Sequence, residues 1–183
     1  MGVTRWLLVL MIAPFCASAQ SLEQGIALFN GGKFAEAKAV FETLLKQNDK
    51  LAEAHYRLGL ILAAQRQPAG AVTRLREALR LQPDWPEALA GLAFTLATAP
   101  TEKDRNPSEA LRVATHAVDL TGHTNALAMD SMAAACAASG RYEEAVRNAT
   151  KAVELARAAG DQTRADQMQS RLKLYEAGKP YRQ

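Results

Sequence analysis

Apolar side chains recur along this chain in helical steps, and short polar stretches interrupt them about every dozen residues. The stretch Tyr56–Leu75, YRLGLILAAQRQPAGAVTRL, shows the pattern most clearly: two apolar helical runs split by a few polar residues. Each run presents one oily face, and a hairpin this short cannot cover both faces alone. The missing cover comes either from neighbouring sequence or from a partner molecule.

The neighbouring sequence repeats the pattern with a period of 34. Residues 52–85 are the clearest copy, with Leu58-Gly59, Leu62, Ala71, Leu75, Ala78 and Pro83 in register. Thirty-four residues earlier stand Gly25, Leu28, Ala37, Phe41, Leu44 and Asp49. Thirty-four residues later stand Leu92-Ala93 and Leu96; the register then breaks and resumes at Ala110, Ala114 and Ala117. A last copy runs through Met132-Ala133, Cys136, Gly140, Tyr142, Ala145, Ala149 and Ala152.

This alternation of small and large positions resembles the tetratricopeptide repeat, two antiparallel helices per 34 residues. The resemblance implies an all-α, right-handed solenoid of about four helical hairpins. It places Gly25, Gly59, Ala93 and Ala133 where the first helix of each pair meets the second. Ala37, Ala71, Ala110 and Ala145 face that contact, and Leu58, Leu62 and Leu75 fill the remaining space. Pro83 cannot continue a helix and ends the second one. Stacking is obligatory for units of this size, so adjacent repeats supply the first missing cover.

The organisation expected is a leader at 1–19, repeats at 20–51, 52–85, 86–124 and 125–160, and a capping helix with a tail at 161–183. The third repeat is degenerate. From Leu96 to Ala110 there are five more residues than the other copies use, which marks residues 97–108 as an insertion in its turn. Helix resumes at Asn106-Pro107-Ser108-Glu109, a cap, a first-turn proline and a capping glutamate. In the last segment Asp161 is the expected cap and Gly178 the stop. Met168, Leu172 and Tyr175 share one face there, while Arg164, Arg171 and Lys173 are expected to point to solvent.

Composition adds a compartment and removes some partners. Arg5, the apolar run Trp6–Phe15 and Ala17-Ser18-Ala19 form the three parts of a secretory leader, with cleavage expected after Ala19. A retained anchor at 6–15 is the alternative, although that run is half the length that spans a bilayer. Acylation at Cys16 is disfavoured by the bulky Phe15. A chain starting at Gln20 has 21 Lys+Arg against 19 Asp+Glu, a balance that does not point to nucleic acid. It keeps one cysteine, Cys136, so the fold rests on packing without an internal disulfide.

Candidate chemistry is sparse. The histidines His55, His116 and His123 lack metal-ligand spacing, and no acidic cluster, nucleophile elbow or glycine-rich phosphate loop accompanies them. Cys136 occupies the register position of Leu28, Leu62 and Leu96, a core position. Asn148-Ala149-Thr150 falls inside a helix, and Arg76 and Arg80 lie one turn apart on an outer face. No enzyme, cofactor or metal is expected.

The resemblance implies a concave groove lined by the first helix of each pair. Its positions fall on Leu22, Ile26 and Phe29, on Glu53, Tyr56 and Leu60, on Glu87 and Phe94, and on Asp130. That is an apolar floor with an acidic edge. Some family members clamp a partner's terminal carboxylate with Lys, Asn and Arg; the matching positions here are Leu22, Ile26, Arg57, Glu87 and Gly91, which leaves a single basic residue. The expected role is an adaptor that holds an apolar or amphipathic helix, or an extended segment with basic flanks. The expected key residues are Tyr56 and Phe94 for binding, with Gly59 and Ala71 for folding. The alternatives are a groove covered by one of the chain's own ends, and a membrane-tethered subunit of an envelope assembly.

Overall fold

The computed structural model describes the backbone from Pro14 to Gln183 and the side chains from Leu22 onward. Most of the leader expected at 1–19 therefore lies outside the described residues. Every regular element among them is helical. Four hairpins follow one another: α1 Pro14–Asn30 with α2 Phe34–Gln47, α3 Ala52–Ala64 with α4 Pro68–Leu81, α5 Pro86–Thr98 with α6 Pro107–Leu120, and α7 Ala126–Ala138 with α8 Tyr142–Ala158. A single helix, α9 Gln162–Glu176, packs on α8.

The small residues sit where helices touch. Ala37, Ala71, Ala93, Ala110, Ala133 and Ala145 are all fully buried. A Cβ placed on Gly59 would come within 2.8 Å of Leu75 Cγ, and one on Gly25 within 2.7 Å of the Phe41 ring. The knob of the second helix thus occupies the volume that a side chain on the first would need. Pro68, Pro86 and Pro107 open α4, α5 and α6, where a missing N–H costs nothing. Pro83 follows the end of α4, as its chemistry requires.

Three of the four hairpin turns close the first helix in the same way. Lys33 N–H reaches Leu28 O at 2.9 Å and Gly32 N–H reaches Phe29 O at 3.0 Å. Gln67 and Arg66 do the same for Leu62 and Ala63, and Arg141 and Gly140 for Cys136 and Ala137. Gly32, Arg66 and Gly140 take positive φ to make this possible. The third hairpin differs because of its insertion. Asn106 N–H still satisfies Leu96 O at 3.0 Å, across a loop containing a short 3-10 turn at Glu102–Asp104. No N–H of that turn reaches Ala97 O.

Several sequence features find structural roles. His55 is buried, and its Nε2 lies 2.9 Å from Asp49 O, which straps the α2–α3 connection to α3. Cys136 is buried, and burial pushes its thiol above the usual range. Arg76 crosses to Glu109 of α6 at 2.9 Å, and Arg80 pairs with Glu77. Asn148 lies within α8 and donates to Glu144 O. No described helix is long and apolar enough to cross a membrane.

Candidate functional site: a groove between the first helices

The first helices α3, α5 and α7, together with α9, enclose an open cavity of about 440 Å³. α9 follows α8 as the first helix of a fifth unit would, so one of its faces turns toward the groove. Phe29, Tyr56, Leu60, Glu87, Phe94 and Asp130 line this space; Leu22, Ile26 and Glu53 do not. Leu22 and Ile26 pack against the core of the first two repeats instead.

Of the three acids expected at the edge, Glu87 and Asp130 line the space, and Glu53 and Asp130 are each paired with an arginine. Glu53 accepts from Arg57 Nε at 2.6 Å, one turn along the same helix. Asp130 is 4% exposed and accepts from Arg171 at 3.1 and 2.8 Å, a two-pronged contact from α9. Burial pushes the Asp130 carboxyl up, and the Arg171 guanidinium limits the rise. Arg171 therefore does not point to solvent, contrary to the expectation from its polar surroundings in sequence. Its guanidinium also lies 5.2 Å from the Phe94 ring centroid. Arg164 lines the cavity as well, one turn beyond Asp161, with which it pairs. Glu87 remains as a half-buried acid with no ion-pair partner among the described residues.

Tyr56 also differs from expectation. It is 7% exposed, and its ring lies 4.6 Å from that of Trp85. It belongs to the main core as much as to the groove. Burial pushes its hydroxyl up to about 12, so the ring stays neutral through the physiological range. Leu60 and Phe94 are the half-buried apolar side chains of the floor, and Gly91 keeps the backbone of α5 open between them.

The sequence reading missed Arg164, Gln167 and Arg171 on α9, together with Gln183. On α9 a spacing of three and four residues puts Arg164, Gln167 and Arg171 on one helical face, but nothing in that period says that the face turns inward. One of the alternatives, a groove covered by one of the chain's own ends, describes what lies at the Phe94 end. Residues 180–183 turn back onto α5: the Tyr181 ring lies 6.0 Å from Phe94, Arg182 Nη1 donates to Ala97 O at 3.3 Å, and Gln183 N–H donates to Thr98 O at 2.8 Å. Among the described residues no group of three His, Cys, Asp or Glu side chains could hold a metal.

Stacked antiparallel helix pairs whose first helices line a groove define a helical-repeat protein. The tetratricopeptide repeat family matches residues 22–86, and the described chain as a whole has the tetratricopeptide fold. No curated protein matches the sequence. Among solved structures the chain is similar to TTC0263, a thermophilic tetratricopeptide protein of Thermus thermophilus, at 18% identity and TM-score 0.63, covering 88% of this chain and 98% of that one. It is similar to YrrB, a tetratricopeptide protein described as having an unusual peptide-binding site, at 17% identity and TM-score 0.60, covering 86% and 85%. It is also similar to part of a Thermobaculum terrenum O-GlcNAc transferase, at 18% identity and TM-score 0.63, over 80% of this chain and 27% of the enzyme. The same architecture thus occurs within an enzyme chain and outside one, and the site decides function.

Proposed function

We propose that this chain is a non-catalytic adaptor that binds a segment of another protein in the groove between α3, α5 and α9. The observation that carries the reading is the half-open apolar floor of Leu60, Gly91 and Phe94 beneath a rim that sets Glu87 beside Arg57, Arg164 and Arg171. Apolar floor gives affinity, and a rim of both signs selects register and direction. The balance of charges removes the reason to require basic flanks in the partner. Arg57, Arg171 and Asp130 of the cavity are held in ion pairs, and Glu87 has no nucleophile beside it.

The test is crosslinking capture from the native cell envelope with wild type and a Leu60→Ser/Phe94→Ala double variant, at matched helicity by circular dichroism. A partner held by the wild type and lost by the variant is the expected result. The same partners on both would overturn the reading. Tyr56→Ala is unsuitable, because removing a ring packed on Trp85 unfolds what it is meant to probe.

The adaptor is proposed to work after export, on the strength of the leader pattern in residues 1–19. Intact mass of the exported protein should give an N-terminus at Gln20; a mass retaining residues 6–15 would favour the tethered alternative.

A further inference from the structure

The third hairpin leaves a carbonyl that the others do not. Leu28, Leu62 and Leu96 are equivalent by the 34-residue period, with Cys136 their counterpart in the fourth copy, and each carbonyl receives an N–H from its own turn. At the next position, Phe29, Ala63 and Ala137 are also satisfied by their turns, whereas Ala97 is not. The five extra residues carry the chain away before it can double back. Helix ends need partners for these carbonyls, and the negative end of the helix dipole favours a cation. Arg105 Nη1, from the insertion, meets Ala99 O and Pro100 O at 3.1 Å. Arg182 meets Ala97 O, and Gln183 N–H meets Thr98 O.

Beside those acceptors lies an aromatic seat. Phe94 forms one wall and the Arg171 guanidinium the other, fixed in place by its two-pronged grip on Asp130. The Tyr181 ring fills the seat, 5.7 Å from the Arg171 guanidinium carbon. An aromatic side chain, a guanidinium and a main-chain N–H from three consecutive residues thus engage a ring, a helix-end carbonyl and its neighbour. That is how an extended peptide would be read.

We propose that Tyr181–Gln183 is a resident occupant of the groove's Phe94 end, and that the segment of the partner docking there is extended and carries an aromatic residue followed by a basic one. This deepens the adaptor reading and rests on it. The resident segment competes with the partner at the high local concentration its short tether gives it, millimolar in order of magnitude. Binding at this end is therefore weakened until the segment is displaced.

The test uses the full chain and an amidated, fluorescein-labelled Gly-Lys-Pro-Tyr-Arg-Gln peptide, which copies residues 178–183 without a terminal charge. Tyr181→Ala empties the seat. A second variant, Gln183→Pro, leaves Tyr181 in place and removes the donated N–H together with the Gln183 side chain. By fluorescence anisotropy both variants are expected to bind the probe at least tenfold more tightly than wild type, and a probe with alanine in place of tyrosine should bind none of the three chains. Equal binding to all three chains, or none to either folded variant, would overturn the proposal. A wild-type dimer that Tyr181→Ala converts to monomer would also overturn it, since the segment would then seat in a second copy. A failed probe beside a partner still lost with Leu60→Ser/Phe94→Ala would leave the adaptor standing and remove only the resident occupant.

Discussion

Gly59 is bare because the space beside it belongs to Leu75, and the two are a single packing decision written across the hairpin. Leu75 is fully buried and cannot swing away from an added side chain. Gly59→Leu is expected to cost more than about 3 kcal/mol, the upper range for overpacking a tight core, and to shift the urea midpoint of the second repeat. An unchanged midpoint would mean the helices do not meet there. The Asp130–Arg171 pair poses a different question, since both charges have left water. Asp130→Leu strands a guanidinium that is 13% exposed and should cost about 3 kcal/mol. Asp130→Leu with Arg171→Met removes both charges and should recover most of that loss. The double-mutant cycle in chemical denaturation gives the coupling directly, and a double variant as weak as the single would show that the pair contributes net stability.

At the scale of elements, the way each second helix begins depends on the turn before it. Lys33, Gln67 and Arg141 precede α2, α4 and α8 without a side-chain cap, because a tight turn already fixes the entry of the chain. α6 is entered from a longer loop, and there Asn106 accepts from Glu109 N–H at 3.1 Å. Asn106→Ala is expected to lower stability by about 1 kcal/mol, or a few degrees in Tm. A Tm unchanged within error would show that Pro107 alone sets the helix start. Much of this level was legible in the sequence. Small residues at fixed spacing mark helix contacts, and Asn106-Pro107-Ser108-Glu109 marks a start, because both signals are local. The groove face of α9 was not legible. Arg164, Gln167 and Arg171 look like ordinary solvated residues until the neighbouring helix is in place, and only then does a buried Asp130 explain one of them. That one of the chain's own ends could cover the groove was legible as an alternative, but which end, and on which acceptors, was not. Which carbonyls lack partners is a property of the folded turn, and composition does not encode it.

At the scale of the whole molecule, each described helix packs mainly on its sequence neighbours, and α5 packs closely on α7 as well. Such stacks owe their shape to local interfaces, and the groove is a surface built from several of them at once. Tyr56 shows the result. Its ring joins α3 to Trp85 at the start of α5, so one residue serves both the seam and the cavity. Groove and stack are therefore not independent designs. A substitution chosen to weaken binding must be taken from the floor, at Leu60 or Phe94, where the side chain is half-exposed.

The contact between residues 181–183 and the end of α5 spans 85 positions of sequence, and the Arg171 guanidinium against the Phe94 ring ties the same two regions of the chain. Pulled at its two ends, a simple stack unzips one hairpin after another. Here the strap closes a loop around α5 to α9, so tension applied at Gln183 must first break a few bonds lying in shear across α5. The part of the chain before α5 has no such strap among the described residues and should peel away hairpin by hairpin. A force trace with a small early rip, absent in Gln183→Pro, would make this protein one whose grip on a partner and resistance to load are set by the same three residues.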